Sequence, residues 1–185
     1  QGAFHTHGWR GYSEIFSERV RFEMNRPLDV VLNNSFSGYT SGQLLDHFDR
    51  CVQPFRPQVV FLMIGMNDCS SSRKVSSGSF ANNLGELCQR ISALGGIPVL
   101  QTPNYLLPGA DPDRLANFPR YREVIISQAK ETQSPLIDHW EAWERSGNNA
   151  IYWLSDDLHP NQYGHLFFAH TVFQALEIFD EERSC

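Results

Sequence analysis

Short apolar runs and helical apolar stripes alternate along this chain of 185 residues. Four short runs have the length and composition of strands buried on both faces, at residues 30–32, 59–64, 97–101 and 136–138. The run at residues 59–64 is the strongest of the four, and we expect it to form the central strand of a sheet.

Apolar residues that recur every three or four positions predict helices around these runs. One helix is predicted over about residues 11–25 and is ended by Pro27, and a short helix is predicted after Gly42. A third helix is predicted to begin with Ser79 as its N-cap and to end at Gly95.

Two further helices are predicted in the second half of the chain. One contains residues 121–128, and the other follows Pro160 with a buried stripe formed by Leu166, Ala169, Phe173 and Leu176. Residues 102–116 include three prolines and predict a long loop, whereas residues 140–155 predict an irregular stretch.

Strands that alternate with helices predict an α/β fold, in which helices cover both faces of a parallel sheet. Ligands of such folds bind at the carboxyl ends of the strands. Gly38, Asn67 and Asp156 all fall at or beyond predicted strand ends on that edge. The sequence has no repeat or linker, so we predict a single domain over residues 1–185.

Charge and composition disfavour several classes of partner. Lys and Arg number 15 against 21 Asp and Glu, which gives a net charge of -6, and no basic run indicates a nucleic-acid surface. No apolar run approaches the roughly 20 residues of a membrane span, and no signal-peptide core opens the sequence. We therefore expect a soluble domain without a nucleic-acid partner or a membrane span. Its compartment stays open, with the cytoplasm slightly favoured.

The cysteines and histidines predict neither a metal site nor a cofactor. The four cysteines are scattered without a Cys-x-x-Cys pair, which indicates neither a zinc site nor a disulfide framework. A metal site at His5 and His7 is an alternative, but no third ligand accompanies them. A nucleotide-binding alternative lacks the Gly-x-Gly-x-x-Gly segment that it requires.

Asp156 and His159 have the spacing of a catalytic carboxylate and its imidazole. An imidazole takes a proton from a hydroxyl only when its other nitrogen is held in the right tautomer, and a nearby carboxylate does this. Pro160 favours the first turn of a helix, so we expect His159 to lie at a helix N-terminus. In the alternative, Asp156 or Asp157 only caps this helix and His159 packs beside it.

Gly38 and Asn67 are candidates for stabilising an oxyanion. The tetrahedral intermediate of acyl transfer needs two or three hydrogen-bond donors, and the Gly38 amide and the Asn67 side chain would supply two. In the alternative, Gly38 forms an ordinary turn and Asn67 satisfies backbone groups of its loop.

Together these segments resemble the SGNH or GDSL hydrolases. The matching blocks, in the family's order and spacing, are Asn33-x-Ser35-x-x-Gly38, Gly65-x-Asn67-Asp68 and Asp156-x-x-His159-Pro160. The resemblance implies a three-layer α/β/α sandwich of flavodoxin-like type, with strand order 2-1-3-4-5. It also implies that Gly38 and Asn67 are oxyanion donors, that His159 is the base and that Asp156 orients it.

The family's nucleophilic serine lies in a Gly-Asp-Ser block after the first strand, and this sequence contains no such block. We therefore expect that block and its strand to precede Gln1, and that strand to separate residues 30–32 from residues 59–64 in the sheet. Ser37, Ser41 and residues 70–72 are poor substitutes, because they lie in loops and no Gly-x-Ser-x-Gly elbow exists.

The leading functional hypothesis is a serine esterase that hydrolyses carboxylic esters through an acyl-enzyme. The resemblance implies esters of short acyl chains or acetylated carbohydrates as substrates. The alternative is a non-catalytic module of the same fold that binds a carbohydrate or another ligand. The residues encoded immediately before Gln1 discriminate between the two hypotheses.

Overall fold

The computed structural model describes residues 8–182, apart from the side chain of Asn148. His5 and His7 lie outside the described residues. Two compact units divide the chain. The first consists of the described parts of Gln1–Ser35, Asn104–Leu107 and Glu141–Cys185, and the second of Phe36–Pro103 and Pro108–Trp140. That both belong to one domain over residues 1–185 stays a prediction.

A parallel sheet lies in the second unit. Its strands are β1 (Val59–Met63), β2 (Ile97–Gln101) and β3 (Leu136–Ile137), in the order β1-β2-β3. β1 pairs with β2 over its whole length, and β3 pairs with the end of β2. Three of the four predicted strands are therefore confirmed. Among the described residues, however, β2 and not β1 lies in the middle of the sheet, because the other edge of β1 has no partner strand there.

Four helices accompany this sheet in the second unit: α2 (Ser41–Asp46), α3 (Phe48–Cys51), α4 (Ser77–Ala93) and α5 (Pro112–Glu131). α4 and α5 pack against each other and against β2. The ring of Phe80 in α4 lies 5.3 Å from that of Tyr121 in α5, between ring centroids. Burial of these apolar faces in a shared core is the main stabilising contribution of the two helices.

The starts of α4 and α5 differ from the sequence prediction. Ser76, rather than Ser79, caps α4, because the Ser76 hydroxyl accepts a hydrogen bond from the Ser79 amide at 3.0 Å. α5 begins at Pro112, so the predicted loop over residues 102–116 is shorter than expected. Asp111 caps α5 by accepting from Asp113 N, and a proline is well suited to the first helical position because it has no amide proton to satisfy.

The first unit is organised around α7 (Gln162–Ala175). The helix α1 (Tyr12–Glu18), which continues as a π-helix over Arg19–Glu23, packs against α7. Buried side chains of both helices form the core of this contact: Ile15, Ala169 and Phe173. The predicted helix over about residues 11–25 is thus confirmed. Of the stripe predicted in α7, Leu176 lies just past the helix end and is exposed.

The stretch predicted as irregular at residues 140–155 is largely helical. It contains α6 (His139–Arg145) and a 3-10 helix over Gly147–Trp153. The ring of Trp153 stacks on that of Phe167 with centroids 4.1 Å apart, and Trp143 is fully buried. The sequence prediction missed these helices because both are short, and seven residues are too few to show a clear helical repeat.

The predicted strand at residues 30–32 is wrong. These residues pair with no strand, and Val30 and Leu32 are 77% and 53% exposed. Neighbouring contacts are polar instead, since Asn33 donates to Ser13 Oγ at 3.0 Å and accepts from Ser35 N at 3.2 Å. An apolar run of three residues shows strand propensity, but a strand also needs a partner for its backbone groups.

Within residues 8–182, none of the helices combines the length and the apolar character needed to cross a bilayer.

Candidate active site

Asp156 and His159 form a hydrogen-bonded pair in the first unit. His159 Nδ1 lies 2.8 Å from Asp156 Oδ2, and Asp156 Oδ1 accepts from the amides of Leu158 at 2.8 Å and His159 at 2.7 Å. Both side chains are about half exposed, at 44% for His159 and 49% for Asp156. A proton shared between Nδ1 and the carboxylate leaves the lone pair of the ring on Nε2.

The pKa of Asp156 is lowered from its ordinary value. Partial burial alone would raise it, but the hydrogen bonds from the amide and imidazole of His159 and from the Leu158 amide outweigh that effect. The carboxylate is therefore kept ionised, which is the state that orients an imidazole and stabilises its protonated form.

Hydrogen bonds between its two ends hold the turn at residues 154–160 together. Ser155 N and Oγ both donate to the carbonyl of His159, at 2.8 and 3.0 Å, and Leu154 forms an isolated antiparallel bridge with Pro160. Pro160 consequently lies before α7 and does not begin it. His159 precedes the first helical residue, Gln162, by three positions.

Asn161 connects this turn to α7. Its Nδ2 donates to the carbonyls of Tyr152 and Leu154 at 2.8 and 3.1 Å, while its Oδ1 accepts from Tyr163 N and Gly164 N. Asn161, rather than Asp156 or Asp157, is thus the N-cap of the helix. The alternative in which the carboxylates only cap the helix is wrong.

Gly38 and Asn67 lie in two segments of the second unit that a hydrogen bond joins. Asn67 Nδ2 donates to the carbonyl of Tyr39, the residue after Gly38, at 3.1 Å. An amide group carries two N–H donors, so one fixes the orientation of the side chain while the other can serve a ligand. Gly38 has a φ of +72°, a conformation that favours glycine.

The model of the GDSL-like lipase/acylhydrolase family matches residues 1–166. This chain belongs to that family. Membership confirms the resemblance found in the sequence, and it confirms the predicted class of carboxylic ester hydrolase. An acetylxylan esterase from Geobacillus stearothermophilus is similar in sequence, with 24% identity over 158 residues, which are 79% of this chain and 71% of that protein.

Solved structures of similar fold confirm the predicted α/β class. One such structure is an alpha/beta hydrolase from the metagenome of Lake Arreo, Spain, with a TM-score of 0.80 and 23% sequence identity. The matched region covers 98% of this chain and 90% of that hydrolase. Another is a catalytic mutant of an acetylxylan esterase from Geobacillus stearothermophilus, with a TM-score of 0.82 and 20% sequence identity. That match covers 95% of this chain and 84% of the esterase.

Four of the serines weighed as substitutes for the nucleophile of a GDSL hydrolase have side-chain hydrogen-bond partners in the structure. Ser41 is fully buried and donates its hydroxyl proton to Asp68, and Ser71 donates to Asp113. The hydroxyls of Ser70 and Ser72 bond to each other. These contacts are typical of structural serines.

One residue that supports the Asp156–His159 turn was missed in the sequence. Asn104 is buried, and its Nδ2 donates to the carbonyls of Leu158 and Tyr105, each at 2.9 Å. Leu107 N also donates to the carbonyl of Asp157 at 3.2 Å. Asn104 and Leu158 are 54 positions apart, so no local pattern of the sequence connects them.

Proposed function

We propose that the protein is a serine esterase in which His159 is the general base, Asp156 orients it, and Gly38 and Asn67 are the oxyanion donors. The observation that carries the proposal is the 2.8 Å contact between His159 Nδ1 and Asp156 Oδ2. With that contact in place, Nε2 is the nitrogen that takes a proton from a hydroxyl.

In the first half of the proposed reaction, His159 removes the proton of a serine hydroxyl while the serine oxygen bonds to the carbonyl carbon of the ester. The carbonyl oxygen becomes an oxyanion, which accepts hydrogen bonds from the Gly38 amide and the Asn67 side chain. The bond from the carbonyl carbon to the alcohol oxygen then breaks, and His159 gives its proton to the departing alcohol.

In the second half, His159 takes a proton from water while the water oxygen attacks the acyl carbon as hydroxide. A second oxyanion forms at the same donors. The bond to the serine oxygen breaks, His159 returns the proton to that oxygen, and the carboxylic acid leaves. Asp156 stabilises the imidazolium in both halves without taking a proton itself.

We place the nucleophilic serine in the sequence encoded upstream of Gln1. Solved variants of the Geobacillus stearothermophilus acetylxylan esterase that are described as catalytic mutants replace a serine, an aspartate and a histidine. The aspartate and histidine of that esterase are three positions apart, as Asp156 and His159 are. Its serine precedes the aspartate by more positions than this sequence has before Asp156.

We propose acetyl esters of carbohydrates as the substrates, within the wider class of short-chain carboxylic esters. The support is the similarity to an acetylxylan esterase in sequence and to an acetyl-xylooligosaccharide esterase in structure. Hydrolysis rates of p-nitrophenyl acetate, butyrate and octanoate test the acyl preference, and we expect acetate to be the best of the three. Acetylated xylo-oligosaccharides test the leaving group.

The deciding experiment is covalent labelling of the protein produced with the sequence encoded upstream of Gln1. A fluorophosphonate should label one serine in that upstream sequence, and replacing His159 by Ala should slow the labelling strongly. A folded protein that takes no label and hydrolyses none of these esters contradicts the proposal. Binding of the same oligosaccharides without hydrolysis would then support the non-catalytic module.

A further inference from the structure

A buried polar cluster lies next to the proposed oxyanion donors in the second unit. Asp68 Oδ1 accepts from both the amide and the hydroxyl of Ser41, at 2.9 and 2.6 Å. The Ser41 hydroxyl in turn accepts from Asn83 Nδ2 at 2.9 Å. Ser41 is 0% exposed and Asp68 is 1% exposed, so water does not compete for these bonds.

The direction of each bond in this cluster is fixed by its chemistry. Asn83 can only donate through Nδ2, and an ionised Asp68 can only accept, so the single proton of the Ser41 hydroxyl must point at Asp68. The amide of Ser41 is the first of α2 and has no acceptor within the helix, and Asp68 supplies one. Ser41 is therefore held by three bonds in one orientation.

The cluster joins the two segments that contain the oxyanion candidates. Asp68 directly follows Asn67, and Ser41 lies three positions after Gly38. The bond from Asn67 to the Tyr39 carbonyl is a second link between the same two segments. Two adjacent residues of one segment thus bond to two nearby residues of the other, across 27 and 28 positions of sequence.

A buried carboxylate is a costly way to stabilise a fold. Asp68 Oδ2 has no hydrogen-bond partner in the part of the chain that the structure describes, and burial raises the pKa of Asp68 although the bonds from Ser41 lower it. An apolar side chain of similar volume often stabilises a core as well or better. What the carboxylate adds is directional bonds that specify the distance between two loops.

We infer that Asp68, acting through Ser41, is a positioning residue that holds the Gly38 segment against Asn67 so that both proposed donors face one oxyanion. This inference rests on the proposed function of Gly38 and Asn67. Oxyanion donors act on charge that develops in the transition state, and they need a fixed geometry because displacements near 1 Å cost about 10²-fold in rate. Loosening the link should therefore lower kcat more than it changes KM.

The test compares Ser41→Ala, Asp68→Ala and Asp68→Asn in ester hydrolysis by the protein that carries its upstream sequence. We expect Ser41→Ala and Asp68→Ala to lower kcat by about 10-fold to 100-fold, with KM changed by less than about threefold. Asp68→Asn should recover much of the loss relative to Asp68→Ala, because its Oδ1 still accepts from Ser41.

The second unit contains a matched control. Ser71 donates its amide and hydroxyl to Asp113, at 2.6 and 2.5 Å, so this pair has the same chemistry as Ser41 and Asp68. It is exposed and does not join the Gly38 and Asn67 segments. Ser71→Ala and Asp113→Asn should leave kcat within about twofold of the wild type, since exposed contacts of this kind contribute little.

A double-mutant cycle separates positioning from general destabilisation. Once Asn67 is replaced by Ala, one of the donors that the link positions is gone, so adding Ser41→Ala should cost much less in kcat than it does alone. Additive losses, unchanged kcat in Ser41→Ala, or an effect confined to KM would overturn the inference. If Asp68→Ala does not fold, Ser41→Ala and the cycle still decide.

The same measurements distinguish the inference from the proposed function. Full turnover in Asn67→Ala would remove Asn67 from the proposed oxyanion site, and the inference would fail with it. Reduced turnover in Asn67→Ala together with wild-type kcat in Ser41→Ala and Asp68→Ala would overturn the inference alone.

Discussion

The Asp156–His159 turn and the Gly38–Asn67 segments place polar groups in opposite ways. All the hydrogen bonds described for the Asp156 side chain are made within three positions of sequence, and the pair is about half exposed. The links at Asn67 and Asp68 span 28 and 27 positions, and the Asp68 link is buried. The first arrangement is specified locally, whereas the second exists only once the second unit has folded.

This difference predicts how each region responds to substitution. Changes in the local turn should alter the chemistry while folding stays nearly intact, because few other residues depend on its side chains. Changes in the buried link should alter the chemistry through geometry, and they should also alter the stability of the second unit.

The largest effect is expected for His159→Ala, which removes the proposed base. Ester turnover should fall by roughly 10⁴-fold or more, while the circular dichroism spectrum and melting temperature stay close to those of the wild type. His170→Ala in α7 serves as the control and should keep most of the turnover. A folded His159→Ala protein that retains most of its activity would contradict the assignment of the base.

The next largest effect is expected for Asp156→Asn, at roughly 10³-fold to 10⁴-fold in kcat. The amide can still accept from the backbone of Leu158 and His159, but an NH₂ group facing Nδ1 favours the wrong tautomer of the imidazole. Asp157→Asn is the matched control, since the described contact of Asp157 is made by its backbone carbonyl. Equal losses in both variants would argue against a specific role for Asp156.

For Asn67→Ala we expect kcat to fall by roughly 10²-fold to 10³-fold, with a smaller change in KM. Asn67→Asp should be at least as damaging, because a carboxylate repels the oxyanion. Asn117, whose Nδ2 also donates to a backbone carbonyl in the second unit, provides the control, and Asn117→Ala should stay within a few-fold of the wild type. Wild-type turnover in Asn67→Ala would exclude Asn67 from the mechanism.

The smallest effects are on stability, and they have opposite signs in the two regions. The pKa of Asp156 is lowered on folding, so its contribution to stability is present above about pH 3.8 and is lost as the pH falls through the folded pKa. Burial raises the pKa of Asp68, so the folded state binds this proton more tightly than the unfolded state does, and stability declines as the pH rises from about 3.8 through the folded pKa.

Denaturant unfolding of Asp156→Asn and Asp68→Asn between pH 3 and pH 7 measures this contrast. Relative to the wild type, Asp156→Asn should become less stable as the pH rises, and Asp68→Asn should become more stable. Parallel pH profiles for the two variants would show that the environments of the two carboxylates do not differ as described.

The features predicted correctly from the sequence are those that short segments specify by themselves. β1, β2 and β3 follow from continuous apolar runs, and the Asp156–His159 pair follows from a three-residue spacing. The run at residues 30–32 failed because an apolar run does not determine whether a partner strand pairs with it.

The rest of the candidate site depends on contacts that no local pattern reveals. Asn104 bonds to the Asp156–His159 turn from 54 positions away, and Asp68 bonds to Ser41 across 27 positions. Asn and Asp are common in loops, where their side chains usually bond to nearby backbone groups. The residue type alone therefore does not identify a functional position. Only the folded chain shows which of these side chains have buried partners.

Asn161 has a consequence for the engineering of this enzyme. Its side chain bonds to the carbonyls of Tyr152 and Leu154 and also caps α7. Because one side chain makes all of these bonds, the number of residues in the segment 152–164 is fixed. Gly164 tightens it further, since a Cβ there would lie 2.3 Å from the Trp153 carbonyl oxygen. Insertions within residues 152–164 should therefore disrupt the turn, and this segment should be exchanged between relatives only as a whole.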